Sequence, residues 1–459
     1  MPRLHLLPLW FLGVWLIGTI NLTMGMTQPA AAYRYAYNVR SAGANTLHLI
    51  DPAVPDAPVD TLTVPANAAE NPYIWNMSPD GRWILAAVET QKGSVLRLYT
   101  PDAKAQADFL PHAILGGVRW SPDSQWLVML AISSEEASSV PFGHYHAYLY
   151  HLESATLYPL DANTQRFDEG NEYYSYGFAW SDDSSQLAII SLDCTTDCQN
   201  ELKVVDVATL DSAVYRHEAD SRLCGLAWSP DNRLIAFQYS CEVGFSRRVD
   251  DVFIWSLESD TWLPVTHRTA PLADAYIEST TTYSMTHNYF WLDNDTLLTA
   301  SLGGRFWEGN GYYEDSFSFD TSVYQVSANT VETLAPELFA GWEVNPADAA
   351  TVAYRRETYR LYTNDQSERL WEWASIQFEI AHLEGSRLTP LYTGEGGCNL
   401  AWSPDGRYLA YTHPLEEFAF CSGAQASVEL VDSRSMTHTS AAVGDEHITP
   451  MGWLMVSDE

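Results

Sequence analysis

The sequence predicts an all-β chain, a closed ring of four-stranded antiparallel units, and three observations carry that expectation. A short phrase, Trp-Ser-Pro-Asp-Gly followed by a β-forming run, recurs with variations along the 459 residues. Its copies recur on average every ~54 residues between Met77 and Trp453, a period of the kind found in propellers and solenoids. No helical periodicity lies between copies, and the segments between turns are short and rich in β-formers.

The copies are NMSPDGRWILAAV from Asn76, RWSPDSQWLVML from Arg119, AWSDDSSQLAII from Ala179 and AWSPDNRLIAFQ from Ala227. FWLDNDTLLTAS from Phe290, EVNPADAATVAYR from Glu343, AWSPDGRYLAYTH from Ala401 and a partial GWLMV from Gly452 follow. Each has the grammar of a hairpin: Pro presets φ, Asp bonds its own backbone, and Gly or Asn accepts a left-handed conformation. A second strand pair then follows, as in Val252–Ser256, a turn at Glu258–Thr261, and Trp262–Val265. Four strands per repeat make a propeller blade. A long β-solenoid is the competing reading, but its shorter rungs lack these hairpins.

The count follows from the ends. The strand around Trp453 has no hairpin partner after it, whereas Tyr35–Val39 and Thr46–Ile50 parallel the outer strands of a blade. One blade then takes its inner strand from the C-terminus and its three outer strands from the N-terminus, which removes a free sheet edge. Eight blades result, with seven as the alternative if the weak copy at Val344 is not a blade. The repeated W-S-P-D-G-x-x-L-A phrase resembles the TolB-like group of β-propellers, distant relatives of the WD-repeat propellers. The resemblance implies a single propeller over residues 33–459 and no particular activity, since such blades serve as scaffolds, ligand binders and regulatory domains of peptidases.

Residues 1–32 have a different layout: Arg3, an apolar stretch from Leu6 to Ile20, then Ala30, Ala31 and Ala32. That is the pattern of a signal peptide, with an uncleaved anchor as the alternative. The expectation is a secreted, periplasmic or extracellular monomer that does not insert in a membrane once the leader is removed. Six cysteines suit such a compartment, and bonds 194–198, 224–241 and 398–421 are expected among Cys194, Cys198, Cys224, Cys241, Cys398 and Cys421. The formal charge of −35 argues against nucleic acid and anionic membrane surfaces as partners.

Topology sorts the loops. The Ser-Pro-Asp turns and the turns between third and fourth strands share one face and are short. The other face takes nearly every long segment, including 162–175, 303–317 and 355–370, and function is expected there. Two stretches on it agree at seven of nine positions: RFDEGNEYY from Arg166 and RFWEGNGYY from Arg305. They nominate Arg166, Phe167, Glu169, Tyr173 and Tyr174 in one copy, and Arg305, Trp307, Glu308, Tyr312 and Tyr313 in the other. Matched aromatic and acidic patches suit a protein, peptide or glycan ligand.

No Gly-x-Ser-x-Gly elbow, His-Glu-x-x-His helix or phosphate loop is present, so no catalytic residue is assigned. No cofactor is expected, although His144 and His146, two residues apart on a strand, are candidate ligands for a divalent metal. The leading expectation is therefore a secreted, non-catalytic binding or scaffold propeller using its long-loop face. A metal-assisted carbohydrate lyase or hydrolase at His144 and His146, and an envelope-associated scaffold or sensor, remain the alternatives.

Overall fold

Four Ser-Pro-Asp turns and the Ser-Asp-Asp turn at Ser181 close the first hairpin of five repeats in one way. Ser78, Ser121, Ser181, Ser229 and Ser403 each donate from Oγ to the Asp Oδ1 two residues on, at 2.5–2.8 Å. The same Oγ accepts the backbone N–H five residues on, at 2.9–3.0 Å. The residue after each Asp is left-handed, with φ between 57° and 69°, and is Gly81, Ser124, Ser184, Asn232 or Gly406. Serine thus joins Gly and Asn at a position expected to take only the latter two. It stays because its hydroxyl has a partner next door: Ser124 and Ser184 accept the N–H of Asp80 and Asp123, one blade earlier, at 3.1 and 3.0 Å. Asn232 Oδ1 does the same for Asp182 at 3.2 Å.

The structure is a computed structural model describing residues 32–456 apart from 42–43, 55–59, 64–70, 91–92, 111–112, 134–143, 166–176, 194–198, 217–222, 240–250, 266–281, 308–310, 314–317, 336–337, 365–366, 386 and 416–424. It is all-β, an eight-bladed propeller, so the count of seven falls away. Blade 1 has β1 (Ala32–Ser41), β2 (Ala44–Ile50) and β3 (Asp60–Thr63). Blade 2 has β4 (Asn71–Met77), β5 (Ile84–Thr90), β6 (Gly93–Tyr99) and β7 (Ala105–Phe109). Blade 3 has β8 (Ala113–Trp120), β9 (Trp126–Ser133), β10 (His144–His151) and β11 (Thr156–Gln165). Blade 4 has β12 (Phe178–Trp180), β13 (Gln186–Asp193), β14 (Gln199–Asp206) and β15 (Ser212–Arg216). Blade 5 has β16 (Leu223–Trp228), β17 (Leu234–Tyr239), β18 (Asp251–Ser256) and β19 (Thr261–Pro264).

Blade 6 has β20 (Thr282–Trp291), β21 (Thr296–Trp307), β23 (Ser318–Gln325) and β24 (Thr330–Ala335), with a short β22 (Gly311–Tyr313) inserted. Blade 7 has β25 (Leu338–Asn345), β26 (Asp348–Thr363), β27 (Arg369–Glu384) and β28 (Arg387–Glu395). Blade 8 has β29 (Cys398–Trp402), β30 (Tyr408–Pro414), β31 (Gln425–Asp432) and the first half of β32 (Thr437–Val456). The second half of β32 crosses to blade 1 and pairs antiparallel with β1, Ile448 opposite Val39 and Val456 opposite Ala32. That is the closure expected from the two ends.

The core is not one body but eight layers, each filling the gap between neighbouring blades. Between blades 4 and 5, for example, Leu202, Ile190, Trp228, Phe237 and Trp255 pack together. Between blades 8 and 1, Tyr35, Tyr37, Tyr408, Leu430 and Trp453 do so. The anchor tryptophans stitch these layers. Trp180, Trp228, Trp291, Trp402 and Trp453 each donate Nε1–H to a carbonyl one blade earlier, on Arg119, Ala179, Ala227, Glu343 and Ala401, at 3.0–3.4 Å. Trp120 reaches the Asn76 side chain instead, at 3.0 Å. An indole satisfied in this way buries its large apolar surface without an orphaned donor.

Blade 7, the weak copy, departs from the rule for a physical reason. Its anchor position holds Val344, which cannot donate, and Val344 is left 40% exposed. Trp342 takes over the packing, stacked on Phe290 of blade 6 at 5.2 Å and on Tyr354 at 4.5 Å. A bulge between Ala340 and Glu343 accompanies the change.

Candidate binding faces

The long-loop face is less loop-like than its sequence implies. Segment 355–370, expected to be a loop, is mostly strand: β26 and β27 stay paired from Thr351 opposite His382 out to Thr363 opposite Arg369. The stretch 303–317 is partly strand too. Beyond its pairing with β23, β21 turns back as a hairpin, Trp307 opposite Gly311, and β22 then adds to β27 with Tyr312 opposite Trp371. Blades 6 and 7 therefore share a raised four-stranded platform, in the order β21, β22, β27, β26.

The second aromatic stretch sits on this platform: Arg305 and Trp307 end β21, while Tyr312 and Tyr313 belong to β22. Glu308 lies outside the described residues, as do Arg166, Phe167, Glu169, Tyr173 and Tyr174 of the first stretch, so the two copies are not brought together by any described contact. On the described part of the platform, Leu361 opposes the half-buried Trp371, and the Arg360 guanidinium meets Glu372 at 2.7 Å.

Where the platform joins the disc, blade 7 carries buried charge. Arg355 and Glu357 pair at 3.1 Å with side chains only 6% and 2% exposed. On the other side of the sheet, Glu379 takes the Arg356 Nη1–H at 2.6 Å and the Tyr354 hydroxyl proton. Ion pairs this deep contribute little net stability, because desolvation offsets the attraction, but removing one member would leave the other charge buried and uncompensated.

The metal candidates fare differently. His144 and His146 lie two apart on β10 with no bulge between them, opposite Gln165 and Asn163 of β11. Two imidazoles are half of a four-coordinate shell. Among the described residues no three His, Cys, Asp or Glu side chains are placed to hold an ion. The His144 side chain and residues 134–143 before it lie outside what is described, so the pair is placed by its backbone register alone. Of the cysteines, Cys398 is buried and disulfide-bonded. Cys224 sits on β16 opposite Gln238 of β17. Cys194, Cys198, Cys241 and Cys421 fall outside the described residues, as does the leader 1–31.

A site that the sequence reading passed over lies at the opposite face. The inner strands of blades 7, 8, 1, 2 and 3 enclose a cup of about 700 Å³ at the channel mouth beside the Ser-Pro-Asp turns. Its wall is largely apolar: Val344, Trp402, Trp453, Met77 and Trp120, with the turn prolines at the rim. Arg119 from blade 3 and Glu343 from blade 7 also line it. Both occupy the position just before the anchor, held elsewhere in the ring by Asn76, Ala179, Ala227, Phe290, Ala401 and Gly452. That column of the repeat was the available signal, since it is uncharged except in two blades.

Glu343 is exposed, and the space it faces is the cup that it lines. Confined water solvates a carboxylate less well than bulk, and this desolvation pushes its pKa up to about 7, with the Arg119 cation opposing the rise.

No protein-family model matches the chain, and no curated protein matches its sequence. Solved structures do resemble its fold. The propeller domain of the Trilobed protease from Pyrococcus furiosus is 10% identical, with 82% of this chain and 99% of that one aligned at a TM-score of 0.44. TolB from Acinetobacter baumannii is 10% identical, with 92% and 82% aligned at a TM-score of 0.34. One of two prolyl endopeptidases is 11% identical over 83% of this chain at a TM-score of 0.49, and the chain spans about half, 50%, of that protein's length. At such identities and scores the likeness concerns fold alone and assigns no activity.

Proposed function

We propose that this chain works as an exported, non-catalytic binding propeller whose ligand, a protein, peptide or glycan segment, docks on the long-loop face. The platform shared by blades 6 and 7 carries this reading. A hairpin pair raised out of the disc, wedded across two blades and rooted in buried charge, holds Trp371, Leu361 and Arg360 on a stiff support. Rigid display of aromatic and Arg side chains is what affinity hot spots require. A ring held only for structural ends needs no such extension.

The test is to pan the protein against random peptide and glycan arrays, then measure each selected ligand on the double variant Arg360→Ala/Trp371→Ala. The expected result is at least a tenfold affinity loss with the melting temperature within a few degrees of the parent, equivalent to about 1.4 kcal/mol of binding. Selected ligands that bind the double variant unchanged would remove the platform from the reading.

A further inference from the structure

The cup at the other face has the features of a small-molecule site, and it stands independently of the platform. Its volume of about 700 Å³ lies within the range of ligand pockets, and its wall is mostly apolar. Two charged side chains of opposite sign interrupt that wall. Blades 3 and 7 are four apart in a ring of eight, so Arg119 and Glu343 enter the channel from opposite sides. Both residues line the same cup, so one small ligand can lie between them.

The tryptophans of the wall are apolar toward the cup because their donors are used elsewhere. Trp402, Trp453 and Trp120 give their indole N–H to Glu343 O, Ala401 O and Asn76 Oδ1. The remaining charge in the lining is Asp80. It belongs to its own turn, where its Oδ1 accepts from Ser78 Oγ at 2.7 Å and from the Arg82 N–H at 3.0 Å.

We propose that this channel mouth binds a small zwitterion with an apolar body, an apolar amino acid or a short peptide with free ends, its carboxylate on Arg119 and its ammonium on Glu343. A guanidinium takes a carboxylate through two parallel N–H bonds, and a carboxylate takes an ammonium through charge-assisted hydrogen bonds. The apolar side chain of the ligand then covers Val344, Trp402 and Met77. A two- or three-residue peptide spans roughly 7–10 Å between its ends, so chain length reports the gap that the two charges bridge. Because Glu343 must be ionised to hold an ammonium, binding strengthens as pH rises through its pKa of about 7, with Arg119 and Asp80 the other charged groups facing the cup.

Calorimetry and intrinsic tryptophan fluorescence on the intact protein test this with L-leucine, Leu-Leu and Leu-Leu-Leu. 4-Methylpentanoate and 3-methylbutylamine serve as probes with one charge each. The expected result is saturable one-to-one binding of at least one zwitterion, about tenfold or more tighter than either single-charge probe. Arg119→Gln and Glu343→Gln should each remove most of that affinity, and affinity should be higher at pH 8 than at pH 6. If a variant fails to fold, the single-charge probes and the pH series on the parent protein still decide the matter. No saturation by any of the three zwitterions up to about 10 mM would overturn the proposal, as would equal binding of 4-methylpentanoate or affinity unchanged in both folded variants.

Discussion

Gly406 stands where a side chain has nowhere to go. Its φ is +67°, and a Cβ built there would lie 2.0 Å from Asn345 Oδ1 and 2.6 Å from the Ala347 Cβ of the neighbouring blade. Asn345 also donates to the Gly406 carbonyl at 2.8 Å. Gly406→Val therefore combines left-handed strain with overpacking, and should destabilise by roughly 3 kcal/mol in chemical denaturation. Glu343 makes the complementary residue-scale prediction, about pH. Its pKa is raised from 4.5 to about 7, so between those values the folded chain keeps a proton that the unfolded chain has released. Its contribution to stability is then fully present below about 4.5 and is lost as pH rises through about 7. Denaturation midpoints measured from pH 4 to 8 should fall less steeply in Glu343→Gln than in the parent over that window. Parallel curves would show that Glu343 does not titrate as the channel dictates.

The strands of each blade are held by their turns, but blades are held to one another by the anchor tryptophans. Trp228→Phe keeps most of the buried ring and leaves the Ala179 carbonyl without the indole that reaches it at 3.0 Å. A loss of about 1–2 kcal/mol is expected in equilibrium unfolding, more than the area difference alone would give. This level of organisation was legible in the sequence because the turn needs particular residues: Ser for its Oγ, Asp for its carboxylate, and a residue tolerant of positive φ. The platform was not legible. The run Thr358-Tyr-Arg-Leu-Tyr-Thr363 reads as a strand only once its partner Arg369–Trp373 is known, and Asn364 to Glu368 look like an ordinary loop. The Arg119 and Glu343 pair was written in the column before each anchor. The turn grammar does not mark it, because the turn chemistry rests on the Ser, the Asp and the left-handed residue and not on the residue before the anchor.

Across the whole molecule, the ring divides labour between its two faces. The Ser-Pro-Asp face is interlocked turn by turn, through Ser124, Ser184, Asn232 and Asn345, and it holds the channel cup. The long-loop face carries the raised platform. Eight interblade layers and a strand exchanged between the two ends keep these faces in a fixed relation, so a change in one turn lowers the stability of the disc without reshaping the distant platform. A crossed measurement tests that division: the affinity of a ligand selected on the parent protein, together with the melting temperature, for Gly406→Val and for Arg360→Ala/Trp371→Ala. The account predicts lower stability with unchanged affinity of the folded fraction for Gly406→Val, and lost affinity at unchanged stability for the platform variant. Selective loss of binding in Gly406→Val with the platform variant binding normally would contradict it.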